Sequence, residues 1–390
     1  MDARQFSASR PQHHVFRLLF PIGLAVLSLW VINFEFPRVV SDHGWWDFGA
    51  FVASGRAAAA GLDPYGIYPP LTPHVVFPGF EAWNPNLNPP ISALLFQLFD
   101  ITDLATSLRV WWVISLVCYL AAVVLLLRRY SEGAESILLG IWAFALAGFW
   151  DTLFLGQIYT PLVLATVVAW LLLERGKLVQ AGILIGLLVS MKPNFLVWPV
   201  LLFLAGCWRP PLVAAATAAV VAAVPLAVFG PQIYLDWLSL VASDGDRAVF
   251  LTNASLAGLA ARAGLPLLGT VLSALLLLAL AAWAAWRRPG TMDVSSFALV
   301  AALLASPLGW IHYTLFLLPV LLHHWQRPWT WPVAVALTIP VPLVLAQFGA
   351  SVWLQLTVGS VYGWSLVLLL LGLIASDRQA SYPPRQGVLR

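Results

Sequence analysis

Apolar segments long enough to cross a bilayer recur along this chain from one end to the other, and that recurrence limits what it can fold into. At ~1.5 Å of rise per residue, about 20 apolar residues match a hydrocarbon layer about 30 Å thick. Candidate segments lie at 18–34, 109–127, 134–150, 157–173, 178–191, 194–208, 211–229, 267–286, 294–309, 311–326, 329–348 and 353–374, bounded by Arg, Gly and Pro. In hydrocarbon the backbone polar groups must bond within their own segment, which leaves a helical bundle as the solution. Only 9% of the 390 residues are charged, where soluble domains carry about 25%. The expectation is an all-α polytopic membrane protein, one integral membrane domain over 1–390, with about 12 transmembrane helices. The first run lacks a small-residue cleavage site and others follow it, so it reads as a span and not as a removable signal.

Two stretches break the pattern. Residues 35–89 are rich in proline, with DPYGIYPP and NPNLNPP, and form the first large loop, expected to carry short interfacial helices. Residues 90–99 are too few to cross and read as a re-entrant or interfacial piece. Residues 230–266 form the second large loop. Placing the two loops outside sends most of the Lys and Arg to the opposite face, among them Arg128, Arg129, Arg175, Lys177, Arg209, Arg287, Arg288 and Arg378. By the positive-inside rule that face is cytoplasmic, with both termini on it, in a multi-pass protein of the cell membrane.

The polar residues inside the apolar pattern then gather at the outer rim. Asp47 follows two tryptophans in WWDFGAFVASGR. Lys192, in VSMKPNFLVWP, stands beside a helix-breaking proline; it reads as an interfacial lysine snorkelling to lipid phosphate or as the partner of an anionic ligand. His312, in ASPLGWIHYTLF beside Trp310 and Tyr313, is either part of an aromatic belt or a hydrogen-bond donor to phosphate. Arg262 and Asn253, in TNASLAGLAARAG, share the outer face with Gln157, which caps or bridges helices or lines a pocket. Asp63 and Tyr65 belong to DPYG, a turn in which the acid bonds its own backbone. Asp244-Gly245-Asp246 reads as a solvated turn in preference to a metal site. Cys118 and Cys207 read as small buried hydrophobes. The chain has no nucleotide-binding loop, HExxH or CxxC, and its net charge of +3 implies no nucleic acid. No metal and no cofactor are expected.

A carboxylate facing cations suits transfer of a sugar from a lipid-linked phosphate. The cations absorb charge on the leaving phosphate, the carboxylate takes the proton of the attacking hydroxyl, and a single displacement inverts the anomeric carbon. Other anion-handling sites fit the same set. A secondary transporter of an anionic or amphiphilic solute suits about 12 spans with broken helices, and a non-catalytic lipid-binding protein is a third reading.

The ordered stretches WWDFGAFVASGRAAAAGLDPYG, NPNLNPP, LGQIYTPLVLATVVAWLLLERGKLVQAGILIGLLVSMKP, TNASLAGLAARAG and ASPLGWIHY narrow the choice. Together, over residues 45–313, they resemble the GT-C-fold glycosyltransferases of family 87, a group that contains polyprenol-phosphate-mannose-dependent α-(1,2)-mannosyltransferases of actinobacteria. The resemblance implies a GT-C-like bundle, an extracytoplasmic active site, a polyprenyl-phosphate sugar donor and a glycolipid or glycan acceptor among membrane lipids. It implies that Asp47 is the general base, with Lys192 and His312 near the donor phosphate; residue chemistry alone adds Arg262 as a further cation for that phosphate. The chain departs from the common pattern at Trp46-Asp47-Phe48, at Phe51 and in YPPLTPHVVFPGF, which bears on the acceptor and on whether the sugar is mannose.

Overall fold

A computed structural model describes Gly23 and residues 26–41, 45–77, 80–99 and 103–381. Part of the 18–34 segment and both termini, with their expected cytoplasmic placement, lie outside the described residues. The fold is an all-α bundle with one small antiparallel sheet.

Among the described residues, four helices are long and apolar enough to cross a membrane: Leu104–Tyr130, Arg209–Phe229, Pro266–Arg287 and a stretch over Val352–Arg378. Gly133–Ala145 and Ala147–Leu155 make a fifth if their 45° bend is taken as one broken span. This corrects the expectation of about 12 crossings. Tyr159–Glu174, Leu178–Met191, Pro193–Leu204, Thr291–Leu304 and Ile311–His323 are apolar but short; the 14-residue Leu178–Met191 reaches only about 21 Å. The 329–348 segment divides into Thr330–Ala336 and Val341–Leu345. Several still present exposed apolar side chains, such as Val179, Ile183 and Leu187 of Leu178–Met191, while others are packed inside the protein. In Thr291–Leu304 every residue from Val294 to Leu304 is buried, so hydropathy had counted a protein core as lipid contact. The transporter alternative drew on that helix count and loses its support.

The interior is tied by side chains as well as packed. Trp142 donates to the Ala334 carbonyl at 3.1 Å, Trp170 to the Tyr130 hydroxyl at 2.8 Å and Trp198 to the Ser295 hydroxyl at 2.8 Å. Without such partners each buried N–H would cost ~2–7 kcal/mol. Gly182 and Gly186 let Leu178–Met191 lie directly on Arg209–Phe229, since a Cβ there would stand 2.7 Å from the Pro210 carbonyl and 2.6 Å from that of Ala214. Small residues one helical turn apart make this close approach possible.

The first loop contains Phe36–Ser41, the 14-residue helix Trp46–Ala59 and an unexpected hairpin of His74–Phe77 with Phe80–Trp83. Phe77 and Phe80 anchor the hairpin on Phe250, at 5.1 and 4.9 Å between ring centres. The chain leaves the second strand into NPNLNPP, whose amides bind helix Trp46–Ala59. Asn86 Nδ2 donates to Ser54 Oγ at 3.0 Å and to Ser92 Oγ at 2.9 Å. Residues 91–99 form a short helix and a 3-10 turn, Ile91–Phe96 and Gln97–Phe99.

Candidate active site

Asp47 sits in the first turn of Trp46–Ala59. The residue before it, Trp46, has φ +35°, a conformation that costs a non-glycine residue about 1–2 kcal/mol and is retained where surrounding contacts enforce it. Each carboxylate oxygen of Asp47 accepts from a side-chain amide: Oδ1 from Asn84 Nδ2, Oδ2 from Gln157 Nε2. Asn84 is itself oriented by Arg247, whose Nη1 donates to Asn84 Oδ1 at 2.8 Å while Nη2 donates to the Trp83 carbonyl at 2.9 Å. Arg247 also pairs with Asp244, so the first acid of the Asp-Gly-Asp triplet serves the loop that holds Asp47. Gln157 is aimed by Gly156, whose left-handed φ of +65° ends Ala147–Leu155 and turns the chain back. Burial pushes the Asp47 carboxyl above the ordinary value of 3.8, against the lowering pull of His312, Arg247 and Asn84. A carboxyl of this kind holds a proton more readily than a solvated one.

Lys192 lies at the break between Leu178–Met191 and Pro193–Leu204, outside both helices. Its ammonium stands 4.6 Å over the Tyr159 ring and 5.4 Å from that of Tyr313. Burial lowers it to about 7, and the nearby Asp47 charge opposes the drop. The opposite face of the cluster is His312, stacked on Tyr159 at 4.5 Å and bonded through Nδ1 to Asp151 Oδ2 at 3.0 Å. Asp47, Gln157, Lys192 and His312 therefore share one polar cluster, formed from the first loop, the Gly156 turn, the Lys192 break and the start of Ile311–Leu317. Four buried polar atoms here or on adjoining residues have no protein hydrogen-bond partner: Trp46 Nε1, Gln157 Oε1, Thr160 Oγ1 and His312 Nε2. Buried polar atoms are nearly always paired, so this concentration marks a place for a polar ligand. Among the described residues, no group of three or more His, Cys, Asp or Glu could hold a metal ion.

The remaining sequence candidates lie elsewhere in the hydrogen-bond network. Arg262 is buried and fully engaged, donating to Ser360 Oγ at 2.8 Å and to the carbonyls of Phe250 at 2.7 Å and Asn253 at 3.0 Å. The Asn253 side chain bridges the Ala248 and Pro307 carbonyls, both at 3.1 Å, and accepts from Gly309 N at 2.9 Å. Trp310 pairs with Asn253 across an isolated β-bridge. Asp63 accepts from Tyr65 N at 2.9 Å within its turn, and the Tyr65 hydroxyl donates to the Asn88 carbonyl at 3.0 Å. Sequence reasoning missed Asn84, Arg247, Tyr159 and Arg38, and gave Asp151 no role. Asn84 opens NPNLNPP and Tyr159 lies in LGQIYTP, so both stood inside stretches already singled out. Arg247 meets Asn84 across 163 residues and had no local signal.

The chain matches the model of Glycosyltransferase family 87 over residues 86–307. The match includes Gln157, Lys192, Asn253 and Arg262 and does not reach Asp47 or His312. Among curated proteins the chain is similar to the polyprenol-phosphate-mannose-dependent alpha-(1-2)-phosphatidylinositol mannoside mannosyltransferase of Mycolicibacterium smegmatis. The two are 32% identical over 228 residues, covering 50% of this chain and 52% of that relative. The chain thus spans about half the length of the curated relative it matches. No solved structure matches it significantly. With the family model covering more than half of its residues, the chain belongs to glycosyltransferase family 87.

Proposed function

We propose that this protein transfers a hexose, mannose in the first instance, from a polyprenyl-phosphate donor to a glycolipid or glycan acceptor on the extracytoplasmic face. The observation that carries the reading is Asp47, a carboxylate held on both oxygens by neutral amides and faced by Lys192 and His312. An acceptor hydroxyl attacks the anomeric carbon as the carbon–oxygen bond to the donor phosphate breaks. Its proton passes to Asp47, and polyprenyl phosphate leaves with the bonding pair. Lys192 and His312 stabilise the charge that collects on that phosphate. Attack opposite the leaving group inverts the anomeric centre. Family membership supports the donor class, and the relative's name supports mannose.

The test is sugar transfer in lipid by Asp47→Asn, which keeps side-chain volume and removes the group able to take a proton. The expected result is normal membrane insertion, retained donor binding and turnover lower by about 10²–10⁴. Asp63→Asn serves as the control, because Asp63 accepts from Tyr65 N in its own turn and its loss should disturb loop order before chemistry. Near-normal turnover in Asp47→Asn, with the loss confined to Asp63→Asn, would transfer the base role to Asp63.

A further inference from the structure

Behind His312 runs a line of charged side chains that the transfer chemistry above does not use. His312 Nδ1 meets Asp151 Oδ2 at 3.0 Å, Asp151 Oδ1 pairs with Arg38, and Arg38 Nη1 meets Glu35 Oε2 at 2.8 Å. Glu35 Oε1 ends the line by accepting from Val341 N at 2.6 Å. His312, Asp151 and Glu35 are buried, at 3%, 4% and 0% exposure. Packing alone explains a tie between the first loop, Ala147–Leu155 and residue 341. It does not explain the front of the line, where His312 Nε2 is buried with no protein partner.

A carboxylate paired with arginine can only accept, so the proton between Asp151 and His312 belongs to Nδ1. That bond, with Tyr159 stacked at 4.5 Å, fixes the plane of the ring. Nε2 is then held on the side away from Asp151. Tyr159 and Tyr313 pack on the ring, Lys192 stands over Tyr159, and Asp47 lies within electrostatic reach of the imidazole. Arg38 stands between the Glu35 and Asp151 carboxyls, so Asp151 is held on one oxygen by a guanidinium and on the other by the imidazole. Charge-assisted bonds in such an interior are the strong kind.

We propose that Asp151 is a positioning residue for phosphate: held by Arg38, which Glu35 in turn orients, it aims His312 so that Nε2, carrying a proton when the anion is bound, is presented to the phosphate of the lipid donor. The inference deepens the transferase reading and rests on it for the choice of a lipid phosphate as ligand.

The experiment measures binding of sugar-free polyprenyl phosphate to the full chain in lipid nanodiscs, for wild type, Asp151→Asn, His312→Ala and the double variant. Asparagine keeps an oxygen for Nδ1–H to bond, removes the charge and puts an amide that cannot accept opposite Arg38. Each single change should weaken binding about tenfold, and the double variant should bind no worse than His312→Ala alone, because the two act as one unit. Asp151→Glu, which keeps the charge, should recover most of the binding. If Asp151→Asn yields no folded protein, Arg38→Gln replaces it in the same cycle, with a smaller loss that also vanishes beside His312→Ala. Losses that add, or unchanged binding in a folded Asp151→Asn protein, overturn the proposal. Sugar transfer measured in parallel separates the two ideas. Coupled losses without any transfer remove the transferase reading and keep the positioning role, whereas transfer with additive losses does the reverse. Absence of binding by wild type overturns both.

Discussion

At the scale of single residues, Asp47 is oriented by amides instead of by a direct ion pair. An arginine fork would fix the carboxylate equally well but would lower its proton affinity far more. Asn84 and Gln157 set its direction while burial raises its affinity, the combination a proton acceptor needs. Lys192 is shifted the other way, to about 7. The pH profile of kcat/KM for the donor should therefore be bell-shaped, since it reports the free protein. Its acid limb lies above 3.8, where a raised Asp47 gains its proton as pH falls. Its alkaline limb begins near 7, where the Lys192 ammonium is lost as pH rises. Lys192→Arg keeps the charge at any working pH and should flatten the alkaline limb; an unmoved limb would assign it to another group. Arg262 behaves differently. Arg262→Ala removes three hydrogen bonds, to Ser360 and to the carbonyls of Phe250 and Asn253, and should cost on the order of 3 kcal/mol of stability, read as a lower melting temperature with donor affinity unchanged. A loss of donor affinity at constant melting temperature would instead put Arg262 on the phosphate. Asp47, Lys192 and His312 were legible because a charge or imidazole in an apolar chain is conspicuous. Asn84 and Gln157 were harder to place, as neutral amides whose contacts with Asp47 span 37 and 110 residues.

At the scale of elements, turns do the aiming. Gly156 closes Ala147–Leu155 with φ +65° and sits against Phe48, where an added Cβ would lie 2.5 Å from the Phe48 Cβ. Gly156→Ala should cost about 1–2 kcal/mol in backbone strain alone, push Gln157 away from Asp47 and lower turnover more than donor binding. Unaltered turnover in that variant would show that Gln157 is not needed to orient the base. The hairpin was legible in principle: HVVF and FEAW are short runs of β-branched and aromatic residues around a Pro-Gly pair, a recognised hairpin signal. The surrounding prolines and the apolar helices on either side drew attention from it. Leu178–Met191 was found with its bounds but is too short for a full crossing, and Thr291–Leu304, packed inside the protein, was misread because hydropathy looks the same whether a helix faces lipid or other helices.

At the scale of the whole molecule, the four long apolar helices share a polarity. Arg128 and Arg129 end Leu104–Tyr130, Arg209 begins Arg209–Phe229, Arg287 ends Pro266–Arg287, and Arg378 ends the stretch over Val352–Arg378. At their other ends, Leu108 lies by Gly156, Phe229 leads into the segment that carries Arg247, Pro266 follows Arg262, and Ser360 accepts from Arg262, so the basic ends lie away from the Asp47 cluster. With Cys118 and Cys207 replaced, Ser243→Cys should react with a membrane-impermeant maleimide on intact cells, and Gly176→Cys only after permeabilisation. The reverse pattern would put Asp47 in the cytoplasm and remove the proposed reaction. The base itself is a meeting point of distant sequence: helix Trp46–Ala59 supplies the acid, the residue after the hairpin supplies one amide, and the Gly156 turn supplies the other. A ribosome releases these parts in succession, and none of them orients the carboxylate alone. Competence is thus all-or-none during biogenesis: a half-inserted or mispaired chain carries the right residues without an oriented carboxylate.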